Sequence, residues 1–418
     1  MSRVVIWLLS LNLLFASDAT IDVKKSADLI PSIAVEDGSI NYRHKISKRF
    51  QKILTSDLAV LAQFNVRKTY QKNIFSSDNP HKENEDMNYV VRYRLKQSNQ
   101  GIMICDYKII DAKKQETLLE DHVKVMQNDL YVFAAHKIAY DLNKYFGFPD
   151  VKWMKQRVVF ARYISPRNSD IVISDYSLTY QKLIIRGGLN IFPKWADAKQ
   201  HAFYYTVVGE KPTLYRYNMT TGKHKKIISS SGMLVCSDVS KDYKQLLLTM
   251  APDDQPDIYL YDVKSDDATR LTKYQGIDVG GQFLDDGKRF AFVSERLGYP
   301  NIFAKGIENN EVEQLVYYGK NNNSCSTYRN YIVYTSRETN NAFSQNSFNL
   351  HMVSTQTEYV RHLTSTGVNQ FPKFSDDGDA IIFIKHYKRQ SALGIIRLKQ
   401  NKSYLFPLKV GKIQSLDW

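Results

Sequence analysis

The sequence is poor in cysteine and lacks a long hydrophobic run. Its three cysteines, Cys105, Cys236 and Cys325, are an odd number, so any pairing leaves a free thiol. Cys236 and Cys325 fall at one position of two sequence repeats separated by a third repeat, beyond the ~7 Å that a disulfide bridges. We therefore expect three free thiols. No stretch reaches the ~18 apolar residues of a membrane-spanning helix, so we expect a chain that does not cross a bilayer.

The motifs of common enzyme classes are also absent. The sequence contains no G-x-S-x-G elbow, no H-E-x-x-H, no P-loop and no dinucleotide-binding glycine pattern. The nine histidines are scattered singly, and the Asp-Asp-Gly segments lack the spacing of an EF-hand-type calcium loop. We therefore expect no catalytic residue, no cofactor and no metal ligands.

Acidic residues are outnumbered by basic ones. The chain has 57 Lys and Arg against 43 Asp and Glu, which gives a net charge of +14. The basic residues are dispersed and follow no zinc-finger, RNP-type or helix-turn-helix pattern. We therefore expect no nucleic-acid partner.

Residues 1–19 have the pattern of a secretory signal peptide. Ser2 and Arg3 give a short positive start, residues 4–15 are mostly apolar, and small residues follow at Ser17 and Ala19. The apolar run is too short to span a bilayer of ~30 Å. The pattern predicts an exported protein, with cleavage after Ala19.

The chain also contains a repeat. Its clearest copy, TSTGVNQFPKFSDDGDAIIFI at 364–384, predicts a strand, a tight Asp-Asp-Gly turn and a second strand. The last apolar residue of the first strand recurs every 44 to 46 residues, at Trp195, Val239, Phe283, Tyr328, Phe374 and Trp418. A period of roughly 40–45 residues with several short strands per copy is typical of β-propeller blades.

The repeats predict a six-bladed propeller over residues 153–418. Residues 153–184 supply three strands without an inner strand, and residues 412–418 (KIQSLDW) have the pattern of the missing one. We therefore predict that the C-terminal strand completes the first blade and closes the ring, because closure removes two exposed sheet edges. The remaining five blades are predicted at 185–227, 228–271, 272–315, 316–363 and 364–408.

Residues 20–150 do not carry the repeat. Short strands are predicted at 20–23 and 30–35, and longer ones at 89–95, 103–110 and 118–125. Helical spacing predicts a helix at about 41–54 and another that begins at Asp129 as its cap and ends before Gly147. The predicted fold class is α+β and multidomain: a small N-terminal α/β domain followed by the all-β propeller.

Four segments carry a resemblance to a known family: TIDVKKSADLIPSIAVED, LNIFPKWADAKQHAFYY, IDVGGQFLDDGKRFAFVSERLGYPNIF and VNQFPKFSDDGDAIIF. With the signal pattern and the small first domain, they resemble the TolB family, the periplasmic component of the Tol–Pal system. The resemblance covers nearly the whole mature chain. It implies a monomeric, non-enzymatic adaptor that links the inner-membrane protein TolA to the lipoprotein Pal. It also implies a role in outer-membrane integrity and cell division.

The resemblance implies two binding surfaces. One is the mouth of the propeller channel, which in the family receives Pal; matched by repeat position, its residues are Met233, Cys236, Asp278, Val279, Gly280, Asn323, Ser324, Asn369 and Gln370. The other is the mature N-terminus, which in the family pairs with TolA as an added strand or folds back on its own protein: Thr20, Ile21, Asp22 and Val23. Strand addition needs only free backbone groups, so many short extended termini would qualify.

Two other functions stay open from the residues alone. A propeller enzyme of the lyase or peptidase kind would need a metal or a nucleophile in its channel, and the sequence shows no convergent set. A propeller that binds a sugar or peptidoglycan would need exposed aromatic residues at its mouth, for which Phe192 and Phe371 are candidates. A cation held loosely in a polar channel is open as well.

Overall fold

A computed structural model describes residues 30–126, 128–284, 287–338, 347–357 and 359–418. The predicted signal peptide and the segment Thr20–Val23 lie outside these residues. Within the described ranges, no helix combines the length and the apolar character that a bilayer crossing requires.

In the part of the N-terminal domain that the structure describes, helices pack against a mixed sheet of six strands. Its elements are β1 (Ser32–Asp37), α1 (His44–Leu61), β2 (Asn65–Val66), β3 (Gln71–Lys72), a 3-10 helix (Lys82–Asn84), β4 (Tyr89–Gln97), β5 (Met103–Asp111), β6 (Glu116–Val125), a 3-10 helix (Asn128–Leu130), α2 (Tyr131–Tyr145) and a 3-10 helix (Lys152–Lys155). The strand order is β2-β1-β4-β5-β6, and β3 also pairs with β1.

The two helices follow the predicted pattern with two differences. Helix α1 continues to Leu61, past the expected end near residue 54, because Leu58 and Leu61 extend its buried apolar face. Helix α2 begins after a 3-10 turn and its N-cap residue is Leu130, so the predicted cap at Asp129 is wrong. Gly147 follows the helix with a φ of +69°, a left-handed conformation typical of helix ends.

In the described residues, the propeller has twenty-four strands in six antiparallel groups of four. They are β7 (Val158–Ser165), β8 (Asn168–Ser174), β9 (Gln181–Ile185), β10 (Leu189–Trp195), β11 (Ala202–Val208), β12 (Thr213–Asn218), β13 (His224–Ser229), β14 (Leu234–Val239), β15 (Gln245–Met250), β16 (Asp257–Asp262), β17 (Asp267–Arg270), β18 (Asp278–Leu284), β19 (Arg289–Ser294), β20 (Asn301–Gly306), β21 (Val312–Gln314), β22 (Lys320–Tyr328), β23 (Tyr331–Arg337), β24 (Phe348–Ser354), β25 (Val360–His362), β26 (Val368–Phe374), β27 (Ala380–His386), β28 (Ser391–Arg397), β29 (Lys402–Pro407) and β30 (Lys412–Asp417).

The first blade is a composite of both ends of the propeller sequence. Strand β30 pairs antiparallel with β7, with Lys412 opposite Tyr163 and Asp417 opposite Val159. Trp418 follows the strand and is buried, and its indole N–H donates to the Phe374 carbonyl oxygen at 3.0 Å. The predicted closure of the ring by the C-terminal strand is confirmed.

The ring has two faces, because the same blade topology is repeated around the channel and gives the inner strands one direction. The inner strands are β10, β14, β18, β22, β26 and β30. The face where these strands begin is named the mouth face, and the face where they end is named the turn face. The N-terminal domain packs on the turn face of the first and last blades. There the Arg397 guanidinium, at the end of β28, donates to the carbonyl oxygens of Val60 and Leu61 at 3.1 and 2.9 Å.

A buried histidine joins the two domains at this interface. The His136 ring, on α2, lies between the Asp57 carboxylate of α1 at 2.9 Å and the Asp175 carboxylate after β8 at 3.2 Å. All three side chains are almost fully buried, and the Tyr176 hydroxyl donates to Asp57. Burial alone would lower the pKa of His136, but the two carboxylates raise it to about 10. The imidazole is therefore a cation at neutral pH.

Candidate partner-binding site

Every inner strand of the propeller contains a β-bulge, and several predicted mouth residues lie at these bulges. The register shifts between Cys236 and Asp238 in β14, between Val279 and Gln282 in β18, and after Gln370 in β26. At a bulge the extra residue loses its place in the ladder and the strand bends. The repeat pattern of the sequence therefore places these residues where the backbone turns away from regular pairing.

Gly280 occupies the bulge of the fourth blade in a left-handed conformation. Its φ is +69°, and a Cβ atom added there would meet no atom within 4 Å. Its N–H donates to the Thr249 hydroxyl at 3.0 Å, which fixes the bulge to the third blade. The position therefore presents backbone to open space and has room for a small side chain that tolerates a positive φ, such as Asp or Asn.

The side chains that a partner could reach are a subset of the predicted mouth residues. Met233 is 46% exposed, directly before β14. Four other predicted residues are half-buried: Val279, Asn323, Ser324 and Gln370. Together with Gly280 they form the accessible part of the mouth face.

Two predicted mouth residues are fully buried and hold the strands in place. The Asp278 carboxylate accepts hydrogen bonds from the Arg296 guanidinium at 3.0 and 3.2 Å, and burial raises the pKa of Asp278. The Asn369 amide donates to the Thr366 carbonyl oxygen at 3.0 Å and to the Asn349 side-chain oxygen at 3.1 Å. Each residue therefore anchors the start of an inner strand and has little surface to offer a partner.

Cys236 is also inaccessible. The residue has no exposed surface, and burial raises the pKa of its thiol to about 12. All three cysteines are buried as free thiols, as the sequence predicts. Cys236 acts as a small apolar side chain inside the third blade rather than as a reactive group.

The register of the fifth blade differs by one residue from the sequence match. Thr327, not Tyr328, is the counterpart of Trp195 and Phe374, because Ser326 pairs after the bulge as Lys194 and Lys373 do. The equivalent of Asn369 is therefore Asn322, whose buried amide donates to the Tyr318 carbonyl oxygen at 2.9 Å and the Asn301 side-chain oxygen at 3.0 Å. Asn323 lies one position further along the strand.

The channel contains a ring of polar residues that sequence reasoning missed. Each inner strand contributes the residue before its last apolar position: Lys194, Asp238, Gln282, Ser326, Lys373 and Asp417. These residues occupy one position of the repeat, in segments such as PKW, SDV and LDW. Listing that position across the six copies would have revealed two lysines and two aspartates facing one channel.

The charges of this ring are paired with one another. The Lys373 ammonium contacts Asp417 and lies 4.0 Å from the Asp238 carboxylate, and Lys194 lies 3.6 Å from Asp417. Burial lowers the pKa of Lys194, whereas at Lys373 the two carboxylates outweigh burial and raise the pKa. Asp417 and Asp238 also accept the N–H groups of Trp195 and Phe283 at 2.8 and 3.0 Å. The ring therefore connects neighbouring blades and also links the third and sixth blades across the channel.

The aromatic candidates for sugar binding pack against each other. The rings of Phe192 and Phe371 are 6.1 Å apart in an edge-to-face arrangement, and both residues are half-buried with positive φ angles. A sugar-binding platform requires an exposed aromatic face. Here each ring is partly covered by the other, at the bulges of the second and sixth blades.

Three comparisons with known proteins place these features in context. A family model described as the TolB beta propeller domain matches residues 152–418. The chain is 46% identical to the Tol-Pal system protein TolB of Wolinella succinogenes over 421 residues, which covers 100% of both chains. It is 43% identical to the protein of the same name from Campylobacter jejuni over 417 residues, with 99% of each covered.

A solved structure has the same fold. The chain resembles the crystal structure of TolB from Acinetobacter baumannii with a TM-score of 0.74, covering 92% of this chain and 96% of that one. The sequences are 22% identical. The likeness supports the arrangement of a small first domain followed by a propeller.

Proposed function

This chain belongs to the TolB family, and on that premise we propose that it is a non-enzymatic periplasmic adaptor of the Tol–Pal system. It binds the lipoprotein Pal at the mouth face of the propeller and binds TolA through residues Thr20–Val23. In this role it connects the inner-membrane Tol proteins to the outer membrane, and it supports outer-membrane integrity and constriction during cell division.

The observation that carries the proposal is the position of the accessible mouth residues. The interdomain contacts of His136 and Arg397 lie on the turn face, whereas Met233, Val279 and Gly280 lie at the opposite end of the inner strands. Methionine is an adaptable apolar side chain that is frequent at protein-binding surfaces. The mouth face therefore has an exposed apolar side chain and an accessible backbone segment at a bulge. The buried residues Asp278 and Asn369 hold the starts of its inner strands in place.

We expect the substitutions M233E and G280D each to weaken Pal binding by at least about tenfold. A carboxylate that is buried in the interface without a partner makes binding less favourable. A tenfold loss of affinity corresponds to about 1.4 kcal/mol. The measurement is calorimetric titration of the mature protein, residues 20–418, with the soluble domain of its own Pal.

The matched control is M126E, which places the same charge on an exposed methionine of the N-terminal domain. Unchanged melting temperatures would show that all three variants fold. Wild-type Pal affinity in folded M233E and G280D would move the Pal site away from these residues. A wild-type protein that gives neither heat nor a complex on a sizing column would refute the adaptor role itself.

We also expect the N-terminal segment to bind TolA through its backbone. Strand addition depends on main-chain N–H groups, so I21P should abolish TolA binding whereas I21A should keep most of it. Titration of both variants with the periplasmic domain of TolA measures the difference, and Pal binding should be equal in the two. Equal TolA affinities for I21P and I21A would contradict pairing by strand addition.

A further inference from the structure

Two histidines that are distant in sequence stand side by side in the fifth blade. His351 lies in the middle of β24 and His362 ends β25, and the antiparallel register places them directly opposite each other. Directly opposed residues project from the same face of a sheet. Their ring centroids are 4.5 Å apart.

A carboxylate completes the group. Glu338 follows the last residue of β23, and its Oε1 lies 2.8 Å from the His351 Nε2 atom. One ligand atom from each of Glu338, His351 and His362 lies within 4.8 Å of the other two. Three side chains that commonly bind metals therefore converge at the mouth-face edge of one blade.

The hydrogen-bonding capacity of the buried His351 ring is not met: its Nε2 atom approaches Glu338, and its Nδ1 atom has no partner among the described residues. His351 has no exposed surface, and among the described residues neither of its ring nitrogens makes a hydrogen bond of acceptable geometry. A buried polar group without a partner costs roughly 1–3 kcal/mol, and such groups are rare in native proteins. An imidazole nitrogen without a hydrogen-bond partner is available to a ligand such as a metal ion.

The surrounding side chains hold the three groups in position. The Tyr318 ring packs against both imidazoles, with centroids 5.3 Å from each, and the Tyr334 ring stacks on His351 at 5.6 Å. The Asn349 amide donates to Glu338 Oε2 at 2.6 Å, which leaves Oε1 directed toward His351. Hydrogen bonds of this kind to a ligating carboxylate are typical of metal sites.

We propose that Glu338, His351 and His362 form a binding site for a divalent transition metal of the Zn²⁺ class. Imidazole nitrogens with one carboxylate oxygen suit Zn²⁺, whereas Ca²⁺ and Mg²⁺ favour ligand sets made of oxygen alone. The exposed side chains of Glu338 and His362 can close on an ion that His351 holds from below. The sequence predicts no metal ligands because the two histidines come together only through strand pairing.

The site is connected to the mouth of the propeller. The same Asn349 side chain that donates to Glu338 accepts a hydrogen bond from the buried Asn369 at 3.1 Å. Asn369 anchors the start of β26 in the last blade. A bound metal would therefore stabilise the contact between the fifth and sixth blades at the mouth face.

The test is a zinc titration of mature protein that carries no polyhistidine tag and has been treated with a chelator. We expect one saturable site per chain by calorimetry, and a rise in melting temperature when Zn²⁺ is added, because a ligand that binds the folded state stabilises it. Replacing Zn²⁺ with Ca²⁺ should produce neither effect.

The informative variants are H362A and E338Q, which change exposed ligands and leave the buried His351 in place. Each should weaken Zn²⁺ binding by at least about tenfold, whereas H122A, at an exposed histidine of the N-terminal domain, should bind as the wild type does. Absence of saturable binding in the wild type would overturn the proposal. Equal affinities of H362A and wild type would also overturn it, because an ion bound in that case lies elsewhere.

Discussion

Deletion of Lys412–Trp418 is expected to lower the melting temperature of the whole propeller by more than about 10 °C, or to prevent folding altogether. The deletion removes the inner strand of the first blade and leaves one edge of β7 unpaired. It also removes the Trp418 indole, which lies 5.5 Å from the Trp153 ring and donates to the sixth blade. Loss of one buried Trp side chain alone costs about 3–5 kcal/mol.

The charged ring of the channel adds to this effect. Without Asp417, the ammonium groups of Lys194 and Lys373 lose a shared carboxylate and the Trp195 N–H loses its acceptor. A buried charge that loses its partner costs several kcal/mol. Thermal unfolding followed by circular dichroism measures the combined loss.

Single substitutions separate the contributions to the closure. W418L removes the indole but keeps the strand, so its melting temperature should lie between those of the wild type and the deletion variant. K412A removes an ammonium on the surface that donates to the Lys388 carbonyl oxygen, and this variant should melt within a few degrees of the wild type. A deletion variant with an unchanged melting curve would show that β30 does not stabilise the ring.

Replacing His136 by alanine is expected to destabilise the protein by about 3–5 kcal/mol at neutral pH. The substitution leaves the buried carboxylates of Asp57 and Asp175 without the cation between them. Burial raises the pKa of Asp57, whereas His136 holds the pKa of Asp175 below its usual value against the effect of burial. The measurement is urea unfolding at neutral pH, with the exposed-site variant H122A as the control.

The pH dependence of this effect has a defined sign. Folding raises the pKa of His136 from 6.5 to about 10, so the folded state binds a proton more tightly than the unfolded state. The stabilisation is fully present below pH 6.5 and is lost as the pH rises through about 10. The stability difference between wild type and H136A should therefore shrink as the pH rises from about 6.5 to about 10. A difference that stays constant from pH 6 to pH 11 would exclude a protonated His136 as its source.

Much of the propeller could be predicted from the sequence because its repeat is local. The residues of each Asp-Gly turn and of the adjoining strands lie within about twenty positions, so the pattern survives in Phe374-Ser375-Asp376 and in Phe283-Leu284. The closure of the ring could be predicted because the segment KIQSLDW, at residues 412–418, has the pattern of the inner strand that is missing from residues 153–184. In the fifth blade, the repeat alignment was shifted by one residue, because it was matched on Tyr328, the last apolar residue of a divergent copy, whereas the structural counterpart is Thr327.

The accessible surface could not be predicted in the same way, because repeat position does not determine exposure. Met233 and Asp278 both lie at the start of inner strands, yet one is exposed and the other is fully buried. What separates them is Arg296, which lies two residues after the end of β19 and forms an ion pair with Asp278. The histidine pair in the fifth blade depends likewise on the register of β24 and β25, which the scattered sequence positions do not reveal.

The composite first blade also sets the order in which the protein can fold. Tyr163 and its partner Lys412 are separated by about 250 residues, so the strand that completes the first blade is synthesised long after β7. Until then the edge of β7 has no partner, and an unpaired edge is a site for association with other chains. Contacts between residues so distant in sequence also slow folding. We therefore expect the nascent chain to depend on protection of this edge, and ring formation to be a late step that follows the synthesis of β30.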